Sequence, residues 1–235
     1  MRVLITGAGR GLGAHLTDWY LRRGATVLAG QRRPGPAHPS SGRRHDVVLD
    51  VTDEESVRRS VTATAVLGPI DVLVNNAGVY NADGTPHEHG SDRQSLHGVD
   101  AREALDVLHV NTVAPLVVAA AWRDRLTGTD RPGGPLLVNV SSRFGSLTER
   151  TGGGDYYYAM SKAGLNMVTR GLAADLGPAV TVVSVHPGWA RTGVGGARAP
   201  LSAAVAAAGL GALLERLGPA DTGRFLDQDG RDIPW

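Results

Sequence analysis

Residues 3–13 read Val-Leu-Ile-Thr-Gly-Ala-Gly-Arg-Gly-Leu-Gly. The apolar run 3–6 has the character of a short buried strand, and the stretch 11–23 behind it has the pattern of a helix. Between them, glycines at 7, 9, 11 and 13 let the backbone turn sharply and come close to a pyrophosphate. The N–H groups and positive end of the helix would hold it. A second strand follows about 20 residues on, as a dinucleotide-binding unit requires. Gly7, Gly9, Arg10, Gly11, Leu12 and Gly13 are therefore candidate cofactor contacts.

Working outward, apolar runs at 3–6, 26–29, 47–49, 71–75, 136–140, 180–185 and 224–226 alternate with helical stretches near 11–23, 53–67, 100–126, 156–176 and 202–217. Continuous Val/Leu/Ile strands separated by helices predict a parallel sheet buried on both faces. Right-handed crossovers then give a doubly wound Rossmann arrangement, α/β in class, with seven strands and helices on both faces. No repeat or long linker divides the chain, so one domain over 1–235 is expected. The loops 33–45 and 80–98, rich in Pro, Gly, His and Ser, are expected at the surface.

Composition narrows the function. The formal net charge of +1 gives no support for nucleic acid or an anionic membrane as partner. The absence of cysteine excludes disulfides, thiolate metal sites and a cysteine nucleophile. Glycine is 32 of 235 residues, about 14% and twice the ordinary usage. Lys162 is the only lysine against 23 arginines, so it is a candidate for work that arginine cannot do. No leader is expected before the strand at residue 3. No stretch approaches the roughly 18–20 apolar residues of a membrane span, the Ala-rich 199–214 being short and broken by Gly209 and Gly211. A cytoplasmic location without membrane attachment is expected.

The end of the second strand bears on the cofactor. An acidic residue there would bind the 2′-hydroxyl of NAD, whereas arginine accommodates the 2′-phosphate of NADP. This chain has Ala29-Gly30-Gln31-Arg32-Arg33, with no carboxylate, and Arg10 in the glycine loop faces the same corner. NADP(H) is the expected cofactor, with Gln31 and Arg32 as contacts.

Three tyrosines stand in a row in Tyr156-Tyr157-Tyr158-Ala159-Met160-Ser161-Lys162. Helical spacing separates them, because only Tyr158 lies four residues from Lys162 and shares its face. A fixed ammonium beside a phenol favours the phenolate and brings its pKa toward the range useful in acid–base catalysis. His87-Glu88-His89, with His97 nearby, has residue types found in metal sites. On an extended chain Glu88 would face away from the two histidines, so a solvated loop and no metal are expected.

Several further motifs fall in order along the chain. They are Asn75-Asn76-Ala77-Gly78, Asn111 in an apolar helix, Val138-Asn139-Val140-Ser141-Ser142, and His186-Pro187-Gly188-Trp189-Ala190-Arg191-Thr192. With Thr6–Gly13 and Tyr158…Lys162, they make the chain resemble the short-chain dehydrogenase/reductase superfamily over its whole length. The segment 186–192 and the ending 223–235 resemble the C-factor and sniffer-type carbonyl reductases. The resemblance implies NADPH-dependent reduction of a ketone or aldehyde, in a tailoring ketoreductase or a related enzyme. Tyr158 would be the general acid, Lys162 its pKa-lowering partner and ribose holder, and Ser142 the carbonyl ligand. Asn111 would hold a water near Lys162. Asn76, Ala77 and Gly78 would line the adenosine side, Asp50 and Val51 the adenine, and Pro187, Gly188 and Thr192 the nicotinamide. Ser142 lies 16 positions before Tyr158, more than is usual, so Ser141 or Ser146 stays open as the carbonyl ligand. Arg143 and Phe144 are candidates to line the substrate site. The glycine-rich 193–197 suggests an open one.

The helix over 101–125 is apolar nearly all round from 107 to 122, which calls for burial on more than one side. A homodimer or homotetramer is the expected assembly. The competing reading is a non-catalytic NADP-binding regulator or signalling protein on the same fold.

Overall fold

Along each central strand, neighbouring side chains enter two different cores. In Arg2–Thr6 (β1), Val3 and Ile5 join one and Leu4 the other. In Leu136–Val140, Leu136, Val138 and Val140 join the first and Leu137 the second. The two-residue side-chain period makes this unavoidable for an apolar strand, which is why such strands must be covered on both faces.

The computed structural model describes residues 1–33, 42–86 and 93–235. After β1 come β2 (Thr26–Gln31), β3 (Arg44–Val48), β4 (Val72–Asn75), β5 (Leu136–Val140), β6 (Thr181–His186), the two-residue β7 (Ala190–Arg191) and β8 (Leu201–Ser202), and β9 (Phe225–Asp227). The helices are α1 (Gly11–Arg22), α2 (Glu54–Ala63), α3 (Ala101–Leu108), α4 (Ala114–Trp122), α5 (Tyr156–Leu176) and α6 (Ala203–Arg216). Seven strands form one parallel sheet in the order β3-β2-β1-β4-β5-β6-β9, and β7 pairs with β8 beside it. Residues from α1 and α6 fill one core, and residues from α2, α4 and α5 the other. The chain runs outward from β1 to β3 and then restarts at β4 on the other side. A switch point therefore lies between β1 and β4, where ligands of such sheets bind.

The expected strands all appear, with no edge displaced by more than three residues. The third begins at Arg44, within the stretch read as loop 33–45, because an edge strand tolerates Arg44, His45 and Asp46. Residues 34–41, and His87, Glu88 and His89, lie outside the described residues. The 80–98 loop is not simply surface, since Tyr80, Asn81 and Gln94 in it are buried.

The expectation that no stretch could span a membrane needs correction. Ala101–Arg125 is long and apolar enough to do so by length and composition. A count of unbroken apolar residues misses it because Asp106, His109 and Asn111 interrupt the run. In the fold this stretch is a sheet-covering helix: Val107, Val118 and Trp122 are fully buried, and Trp122 Nε1 donates to Ser60 Oγ at 3.3 Å. It is not one regular helix either, because residues His109–Val113 form a π-helical turn between α3 and α4.

Candidate active site

The carboxyl ends of the strands open on a cleft of about 1420 Å³. Its walls include Gly7, Gly9, Arg10, Gly11, Leu12, Gly13, Gln31, Arg32, Asp50, Val51, Asn76, Ala77, Gly78, Ser142, Tyr158, Lys162, Pro187, Gly188 and Thr192. Every site residue expected from the sequence thus lines it except Asn111, which stands behind the wall.

The glycine loop is built for close approach. Gly7 has φ +66°, and a Cβ on Gly13 would stand 2.4 Å from the Gly7 carbonyl oxygen. Thr6 Oγ1 accepts the N–H groups of Asn76 and Ala77 at 3.0 Å each, and Asn76 Nδ2 donates to the Thr6 carbonyl at 2.8 Å. These bonds tie the ends of β1 and β4 together, so Asn76 shapes the switch point. Arg10, the N-cap residue of α1, makes no side-chain capping bond. The cradle suits the pyrophosphate of a dinucleotide, for which bare N–H groups at a helix start are the natural donors.

At the adenosine corner, Asp50 Oδ1 accepts from the Thr52 N–H at 3.0 Å and its hydroxyl at 2.7 Å. The cap of α2 is Asp53, which leaves Asp50 at the cleft. Gln31 Nε2 donates to Asp46 Oδ1 at 2.9 Å, and Arg44 pairs with the same carboxylate. Asp46 does not line the cleft. Arg32 and Arg33 are exposed at the end of β2, and the Arg10 guanidinium rests beside Gly84 and Gly193.

At the other end, helical register sorts the tyrosines. Tyr158 and Lys162 are buried and line the cleft. Tyr157 turns away: its hydroxyl donates to the Gly98 carbonyl at 3.2 Å and accepts from the Asp100 N–H. Tyr156 is partly exposed. Ser142 Oγ accepts the Phe144 N–H at 3.3 Å and acts on the Tyr158 phenol, favouring its charged form. Ser141 Oγ instead donates to Asn166 Oδ1 at 2.8 Å, and Ser146 Oγ to the Pro234 carbonyl at 2.6 Å. Of the three serines, Ser142 is the one facing Tyr158. Gly145 lets the segment after it dock on α5, where a Cβ would stand 2.7 Å from the Lys162 carbonyl carbon. Gly152, Gly153 and Thr151 in the longer Ser-to-Tyr connection line the cleft.

Burial pushes the Tyr158 phenol up to about 12, while Ser142 acts the other way. Burial also draws Lys162 down to about 8. The Lys162 ammonium lies 5.6 Å from the Tyr158 ring centroid and donates to the Val140 carbonyl at 2.9 Å. In this arrangement desolvation is the largest influence on both groups. Asn111 is also more committed than expected. Its Oδ1 accepts from the Val79 N–H at 2.9 Å, and its Nδ2 donates to the Val79 carbonyl at 2.8 Å and to Ser161 Oγ at 3.0 Å. Both amide hydrogens are spent on the protein, so they cannot also hold a water.

The sequence reading missed the residues that brace Tyr158. Gln94 is buried; its Oε1 accepts the Tyr158 N–H at 2.9 Å, and its Nε2 donates to the Tyr80 carbonyl at 2.8 Å. Asp155, the N-cap residue of α5, has φ +50° and gives no capping bond, so Gln94 satisfies that helix start from another loop. Tyr80 lies 5.1 Å from Tyr158 between ring centroids, and its hydroxyl donates to Asp155. Phe144 meets Tyr158 edge-on at 6.0 Å.

Residues 1–200 match the short chain dehydrogenase family. Among curated proteins, C-signal of Myxococcus xanthus is 36% identical over 178 residues, covering 75% of this chain and 99% of its own. Among solved structures, the carbonyl reductase Sniffer of D. melanogaster superposes with a TM-score of 0.89 at 29% identity, over 100% of this chain and 99% of that one. The NADPH-bound carbonyl reductase from chicken fatty liver does so with 0.86 at 26% identity, over 100% and 98%.

Proposed function

The chain belongs to the short-chain dehydrogenase family, and from that footing we propose that it reduces a ketone or aldehyde with NADPH. The observation that carries this reading is the meeting of Ser142, Tyr158 and Lys162 at one end of a cleft whose other end is the glycine cradle. A non-catalytic nucleotide binder needs the cradle alone.

Residues of the glycine loop would hold the pyrophosphate, Arg32 the 2′-phosphate, and Lys162 the nicotinamide ribose. When bound, NADPH supplies the hydride. The chain's own part is proton delivery and orientation. Tyr158 gives its hydroxyl proton to the carbonyl oxygen, and Ser142 donates a hydrogen bond to the same atom, stabilising the charge that develops there. A phenol held near 12 stays protonated across the working range, which suits reduction better than alcohol oxidation. A location in the cytoplasm fits a helix 101–125 engaged with the sheet. Leu105, Val113 and Leu116 on that helix are exposed, which supports a homodimer or homotetramer through this face.

The test is a panel of ketones and aldehydes scored by NADPH oxidation, repeated across pH. Lys162 is charged below its value of about 8 and neutral above it. Reduction should therefore be level at lower pH and decline as the pH rises through about 8. A profile still flat at pH 10 would remove Lys162 from the charged role.

Gln94 is a positioning residue in the same reading. Gln94→Ala should lower kcat about tenfold by freeing the first turn of α5, while the KM for NADPH stays within twofold. Gln94→Glu keeps the acceptor for the Tyr158 N–H and should recover part of the loss. If Gln94→Ala lowered the melting temperature without changing kcat, its role would be confined to folding.

A further inference from the structure

Both signs of charge line the substrate end of the cleft, but the carboxylates there have partners of their own. Glu149 takes Arg143 at 2.6 Å. Asp83 takes Arg93 at 2.9 Å and the Thr85 hydroxyl at 2.7 Å. Asp155 accepts from the Tyr80 hydroxyl. Arg150 differs. Among the described residues its guanidinium donates to the Gly154 carbonyl and lies 5.4 Å from the centroid of the Phe144 ring, with no carboxylate at ion-pair distance. It is partly buried and lines the cleft.

A guanidinium placed over an aromatic ring keeps its edge of N–H donors available, and that edge matches a carboxylate or phosphate in two-point geometry. Phe144, which supports Arg150, also meets the Tyr158 ring at 6.0 Å. Arg150 therefore stands two ring contacts from the phenol, and the glycine cradle for the cofactor phosphates lies at the other end of the cleft. The geometry points to a substrate that is an anion: a carbonyl compound carrying a carboxylate or similar group several bonds from the reacting carbon, with Arg150 as the residue that binds that group. This deepens the carbonyl-reductase reading and rests on it.

Substrates matched in shape separate the charge from the carbonyl. Wild type should reduce 4-carboxybenzaldehyde with kcat/KM at least tenfold above that for its methyl ester. Arg150→Met, which keeps an apolar stem beside Phe144, should lose about ten- to hundredfold on the carboxylate, in KM rather than kcat, and stay within threefold on the ester. Arg150→Lys should recover part of the loss. Calorimetry with 4-(hydroxymethyl)benzoate and NADPH-loaded protein, a pair in which both partners are already reduced, gives a readout without turnover, and Arg150→Met should weaken that binding at least tenfold. Equal use of acid and ester by wild type, or equal losses on both in Arg150→Met, would overturn the anion subsite while leaving carbonyl reduction standing. Reduction of neither compound, with the benzoate still bound through Arg150, would overturn the carbonyl-reductase reading and leave the subsite.

Discussion

Tyr158→Phe should slow carbonyl reduction by about two to three orders of magnitude, the scale of a lost general acid, while NADPH binding stays within twofold. The substitution removes one oxygen and leaves the ring against Tyr80 and Phe144, so the cleft should hold its shape. The neighbouring tyrosines are the controls. Tyr156 is partly exposed, and its phenylalanine variant should behave as wild type. The Tyr157 hydroxyl joins the Gly98 carbonyl to the Asp100 N–H at the start of α3. Tyr157→Phe should therefore lower the melting temperature by a few degrees, since a net hydrogen bond contributes about 1 kcal/mol, and keep activity within tenfold. Steady-state kinetics and thermal unfolding of the three variants decide the matter. A dead Tyr157→Phe beside an active Tyr158→Phe would invert the register on which the proposed mechanism stands.

That register was legible because helical spacing is a local rule: four residues from Lys162 leads to Tyr158 and to no other tyrosine. The strands were legible for a similar reason, each being a continuous apolar run whose only solution is burial on both faces. Where the pattern weakens, the reading slips, as at β3, whose Arg44-His45-Asp46 start resembles loop because an edge strand can be polar. The bracing of Tyr158 lay beyond local rules altogether. Gln94 reaches the Tyr158 N–H from 64 positions away, and nothing in the spacing of a glutamine within a polar loop announces a helix cap. The π-helical turn at 109–113 is likewise invisible in sequence, though its consequence is plain in the fold, where Asn111 clamps both backbone groups of Val79. Desolvation also escapes sequence. The lysine beside a phenol suggested a lowered pKa, yet both groups lie deep enough that burial governs each.

Cofactor preference is where sequence and structure combine into the second large effect. Charge-assisted hydrogen bonds contribute roughly 1.5–3 kcal/mol each, so losing the residue that reads the 2′-phosphate should weaken NADPH by about 10- to 150-fold. Arg32 should carry most of this. Both it and Arg10 are exposed, but Arg32 stands at the end of β2, whereas the Arg10 guanidinium rests beside Gly84 and Gly193. Arg32→Ala should therefore cost more than Arg10→Ala, and NADH, lacking the phosphate, should be bound almost as before by both variants. Gln31 should be left unchanged in this test. Its amide donates to Asp46, so Gln31→Asp would set two carboxylates against each other and destabilise the edge of the sheet whatever it did to the cofactor. Titration of wild type, Arg32→Ala and Arg10→Ala with NADPH and NADH separates the possibilities. Equal losses for both cofactors would mean that the arginines support the corner rather than read the phosphate. A wild type that prefers NADH would overturn the assignment of NADP(H) itself.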